Sequence, residues 1–96
     1  MTGPPYRYHP HVLAALERHG LRPGPHTDPH AVYDLLKAIY TFEIRQMKAR
    51  RREAEAVLGP QPLETYRRQL RRLQERYPVL SIPAHHWVER GGGQES

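Results

Sequence analysis

The sequence predicts an all-α domain: a short N-terminal helix plus a long antiparallel helical hairpin, with an extended C-terminal strap. Three observations carry that prediction. Leu63, Tyr66, Leu70, Leu73 and Tyr77 recur at alternating spacings of three and four residues among arginines, which gives a helix one apolar seam and one charged face. Asp28-Pro29 opens a run that meets no further proline or glycine until Gly59. Gly59-Pro60 then separates the two periodic segments by a turn too short for anything but antiparallel neighbours.

Each element has a local reason. Residues 1–8, with Gly3, Pro4 and Pro5 beside Tyr6 and Tyr8, read as an irregular arm. A short helix over 9–20 follows: Pro10 suits a first helical turn, Val12, Leu13 and Leu16 share a face, and Gly20 suits a left-handed cap. Pro23, Gly24 and Pro25 make the next stretch a linker. The long helix spans 28–58, opened by the Asp28 carboxylate on free amides and by Pro29. Val32, Leu35, Leu36, Ile39, Tyr40, Phe42 and Met47 form its apolar stripe, which thins beyond Met47. The second hairpin helix covers 62–77 and stops at Pro78.

The second arm is about half as long as the first, so counting puts its end beside Glu43 to Met47. The apolar start of the long helix then needs other cover. The N-terminal helix and the segment 78–88, biased to an extended path by Pro78 and Pro83, are expected to supply it. That segment either straps its own chain or pairs with another. Residues 89–96, with Gly91, Gly92 and Gly93, read as a flexible tail.

Composition narrows the function classes. Ninety-six residues make one small domain, and a mean hydropathy of -0.83 with 38% hydrophobic residues disfavours a compact enzyme with a deep pocket. No apolar run approaches the roughly 20 residues of a membrane span, and the N-terminus lacks a secretory segment, so the expectation is a cytoplasmic protein without a membrane partner. There is no cysteine, hence no thiolate nucleophile or thiolate metal site.

Chemical motifs are few. The histidine pairs His26/His30 and His85/His86 lack a metal-site spacing, and His9 and His11 merely flank Pro10, so no metal, cofactor or catalytic residue is assigned. Ser81 and Ser96 have no nucleophile-elbow context, and Gly91–Gly93 precede no helix that could cradle phosphate. Glu43 interrupts the apolar stripe between Tyr40 and Met47, and a carboxylate in such a place needs a partner. An ion pair with Arg76, or a hydrogen bond from a tyrosine of the opposite arm, would supply it.

Charge is concentrated. From Arg45 to Arg76 there are ten Arg or Lys residues against Glu53, Glu55, Glu64 and Glu75, 10 − 4 = +6, whereas the whole chain carries +5. Lys48, Arg51, Arg52, Arg67, Arg68, Arg71 and Arg72 are the candidate surface for an anionic partner. Leu63, Tyr66, Leu70, Leu73, Tyr77 and Trp87 are the candidate core or interface. The expected function is a non-enzymatic protein-interaction module, a homo-oligomer or an adaptor. The alternative is nucleic-acid binding through the arginine-rich face, although no helix-turn-helix, zinc-finger or RNA-recognition signature is present.

Overall fold

The computed structural model describes residues 5–89, which are mostly helical: β1 (Arg7–Tyr8), α1 (Pro10–Glu17), α2 (Pro29–Leu58), α3 (Leu63–Glu75), two 3-10 turns (Pro78–Ser81 and Ala84–His86) and β2 (Val88–Glu89). The chain divides into two units. One comprises the residues up to Lys37 and those from Pro78 on, and the other runs from Ala38 to Tyr77.

In the first unit α1 begins with Pro10 and ends where Gly20 adopts φ 80°. The Gly20 amide donates to Glu17 O and the Leu21 amide to Leu16 O, at 2.9 and 3.1 Å, the paired bonds of a Schellman cap. α2 starts as its sequence dictates: Asp28 Oδ1 accepts from the His30 amide at 2.9 Å, and Asp28 O accepts from Ala31 and Val32. Between them, Thr27 and Gly24 bond each other twice, and the Tyr8 hydroxyl donates to Thr27 O.

Trp87 organises the rest of this unit. It is wholly buried, with Val12, Leu16 and Leu36 equally so and Tyr8, Val32, Val79 and Ala84 nearly so. Its indole N–H donates to both Val79 O and Ile82 O, at 3.2 and 3.0 Å. The Tyr33 ring lies 5.5 Å from it, and the Tyr33 hydroxyl donates to Leu80 O.

The segment expected to be an extended strap is instead two 3-10 turns and a strand. Proline's fixed φ suits the first residue of a helical turn as well as an extended path, and the carbonyls that converge on one indole N–H require the coiled form. The segment does find a ladder partner. β2 pairs antiparallel with β1, Arg7 opposite Glu89 and Tyr8 opposite Val88, and the His9 amide donates to Trp87 O. The arm expected to be irregular is therefore a strand at Arg7–Tyr8, and Glu89 belongs to its mate rather than to a flexible tail. Residues 1–4 of that arm and 90–96 of that tail lie outside the described residues.

In the second unit α2 continues to Leu58, and Gly59, at φ 86°, ends it with its amide on Glu55 O. Gln61 Nε2 donates to Gly59 O across the turn, and α3 follows Pro62. The α2 partners step back toward its start as the chain runs from Tyr66 to Tyr77: Arg51 lies over the Tyr66 ring, and Tyr40 lies against Tyr77 with ring centroids 5.1 Å apart. Burial along the apolar seam deepens in the same direction. Leu63 is 48% exposed, Tyr66 and Leu70 are half-buried, and Leu73 and Tyr77 are buried. Leu63, expected in a core or an interface, therefore lies outside the core. Val57 and Leu58 beside it are 81% and 73% exposed, so an amphipathic face next to a turn has only a second thin helix to bury it.

Candidate functional site

The second unit contains an open groove of about 460 Å³. From α2 it is lined by Met47, Arg50, Arg51 and Ala54, and from the turn and the start of α3 by Gln61, Pro62, Thr65 and Tyr66. Gln69, Arg72 and Arg76 complete it. Helical spacing explains the selection. Thr65, Gln69, Arg72 and Arg76 follow i, i+4, i+7, i+11 and share one face of α3, adjoining the apolar seam. Met47, Arg51 and Ala54 follow the same spacing on α2. Ala54 and Thr65 are short side chains and leave the space that longer ones would fill.

Among the described residues, four guanidinium groups line the groove and no carboxylate does. Two are held by neighbours. Arg51 sits with its guanidinium carbon 5.0 Å above the Tyr66 ring, and its Nε lies 3.2 Å from Glu55 Oε2 one turn along. That Nε is shielded from solvent without an aligned hydrogen bond, so Arg51 is committed to the wall. Arg76 Nη1 is 3.9 Å from Glu43 Oε1, at the limit of an ion pair, with its side chain mostly exposed. Arg50 and Arg72 are exposed, and among the described residues neither has a carboxylate within ion-pair distance.

At the inner end, the Tyr77 hydroxyl donates to Glu43 Oε2. Burial, then this hydrogen bond and the negative charge of Glu43, push the Tyr77 phenol up to about 12, while Arg76 acts the other way. Glu43 therefore meets both partners considered for it, an arginine and a tyrosine.

The cationic surface read from the sequence is divided by the fold. Arg51 and Arg72 line the groove, whereas Lys48, Arg52, Arg67, Arg68 and Arg71 do not. Arg68 is one turn from Arg72 on the solvent edge, and Arg67 and Arg71 lie on the other side of α3. Arg50, Gln61, Thr65 and Gln69 were missed because the sequence was weighed by charge density and apolar period. The polar i, i+4, i+7, i+11 set beside the seam is the signal for two of them, Thr65 and Gln69. Of the proposed core or interface residues, Leu73 and Tyr77 are buried here and Trp87 in the first unit, while Tyr66 supports Arg51.

Among the described residues no group of three or more His, Asp or Glu side chains is placed to hold a metal ion, and no helix is long and apolar enough to cross a membrane. Comparison with family models, with curated proteins and with solved structures finds no match.

Proposed function

We propose that this chain is a non-enzymatic protein-interaction module of the adaptor kind, a helical hairpin of α2 and α3 that docks a partner in the arginine-lined groove. One observation carries the reading: four guanidiniums from two helices face a groove whose lining contains no carboxylate. Guanidinium forks match carboxylates in bidentate geometry, and a groove concentrates their field more than a convex face does. Gln61, Gln69 and Thr65 add neutral hydrogen-bonding groups that suit a peptide backbone. The lining offers no histidine, carboxylate or thiol for acid-base or nucleophilic work, which supports binding over catalysis.

Nucleic-acid binding is the second reading, favoured by Lys48, Arg52, Arg67, Arg68 and Arg71, which are all exposed and lie outside the groove lining. A cationic surface that extends past a groove suits a phosphate backbone. Fluorescence anisotropy with polyglutamate, duplex DNA and single-stranded RNA of matched charge separates the two. The adaptor reading expects polyglutamate to bind, the double charge reversal Arg50→Glu/Arg72→Glu to abolish it, and nucleic acid to bind weakly with a shallow salt dependence. A preference for nucleic acid, with log affinity falling by about 0.9 per phosphate contact against log salt, would overturn it.

A further inference from the structure

The groove does not end in charge. Leu58 continues the α2 face of Met47, Arg51 and Ala54 at the same helical spacing, one turn past the cavity, and it is 73% exposed. Val57, 81% exposed, adjoins it, and Pro62 closes the same end from the α3 side. From Met47 to Leu58 is eleven helical rises, about 16 Å, or three turns of a helix. Along that length the surface changes from guanidinium at Arg50, Arg72 and Arg76 to aliphatic at Leu58.

We infer that the groove selects an acidic amphipathic segment of its protein partner. Carboxylates of the segment lie before Arg50 and Arg72, and an apolar side chain lies on Leu58 and Ala54. The inference rests on the reading of the groove as a protein-docking site and adds the chemistry of the occupant. Charge complementarity commits it: among the described residues Arg50 and Arg72 have no carboxylate within ion-pair distance, so an occupant's carboxylates meet two guanidiniums that are not already paired. The apolar end explains why charge alone is insufficient. Burying Leu58 against a leucine removes aliphatic surface from water, and this contribution persists at ionic strengths that screen exposed charges.

The test uses the full chain and two fluorescein-labelled helical peptides about three turns long. One carries glutamates on one face and leucines along the adjoining face; the other has serine at every leucine. Anisotropy is measured with wild type, Arg50→Ala/Arg72→Ala, Leu58→Ser and Arg67→Ala/Arg71→Ala, and circular dichroism checks that each variant is folded. The expected result is binding of the leucine peptide at least tenfold tighter than the serine peptide. Arg50→Ala/Arg72→Ala should weaken it more than tenfold and Leu58→Ser severalfold, while Arg67→Ala/Arg71→Ala, with the same charge change, alters it less than twofold. Equal affinity for the two peptides, lost on groove substitution, would overturn the amphipathic occupant while leaving a protein-docking groove. Equal losses from the two arginine pairs would show a diffuse field instead of a groove, and displacement of both peptides by duplex DNA at equal charge would overturn both readings.

Discussion

Replacing Trp87 tests how the first unit is held together. The side chain is wholly buried, and an aromatic of this size buries on the order of 200 Å². At about 25 cal/mol per Å² that is about 5 kcal/mol of gross transfer, an upper value because the unfolded chain already shields part of it. Trp87→Ala should therefore cost about 3 to 5 kcal/mol. Trp87→Phe keeps most of the apolar contact and removes the N–H that serves both Val79 O and Ile82 O. Its cost should be about 1 to 3 kcal/mol, from two carbonyls that lose their donor. Urea denaturation followed by circular dichroism at 222 nm measures both, because the only tryptophan is lost in each variant. In wild type the emission of Trp87 should be blue-shifted and move to the red as the unit opens. A loss under about 1 kcal/mol for Trp87→Ala would refute the claim that the C-terminal turns are folded around this ring.

Further expectations concern single contacts. The Tyr8 and Tyr77 phenols, each pushed up from 10.0 to about 12, favour the folded state while protonated. Their stabilisation is whole below pH 10 and is lost as pH rises through 12, a window that absorbance at 295 nm should show as late ionisation. Tyr77→Phe should remove one late step and cost about 1 to 3 kcal/mol by denaturant titration, and an unchanged midpoint would mean the Glu43 bond is idle. Leu73→Ala should cost about 2 to 5 kcal/mol and Leu63→Ala less than about 1 kcal/mol, and the reverse order would show the helical phase to be wrong. Gly20→Ala places a side chain at φ 80° with open space around it, so backbone strain alone should cost about 1 to 2 kcal/mol, measured as a lower Tm.

The helical content was legible because its signals are local. Asp28-Pro29 and Gly20 act through backbone groups within a few residues, and they do so in the structure whatever packs beyond them. The seam was legible in phase and not in depth. Periodicity says which side of α3 is apolar, but the burial of Leu73 and the exposure of Leu63 depend on how much material lies opposite, which no spacing records. The C-terminal turns were misread because proline has two compatible outcomes, and the deciding groups, the Trp87 indole and the Arg7–Tyr8 strand, are remote in sequence. The groove depended on two faces of two helices and on short side chains at Ala54 and Thr65, so a count of arginines found its charge and not its place.

The chain order of the two units sets a folding problem. The first unit is assembled from two segments separated by about 40 residues, and closing a flexible loop of that length costs on the order of 3 kcal/mol in chain entropy. The contact between Tyr40 and Tyr77 joins residues near both ends of that intervening stretch. If α2 and α3 associate first, the loop is already closed, and the final turns need only condense onto a nearby surface. Stopped-flow refolding should then show helical ellipticity rising ahead of the Trp87 emission change, and Tyr77→Ala should slow the fluorescence phase more than the ellipticity phase. The unit without the tryptophan would act, in kinetic terms, as the splint that lets the other one close.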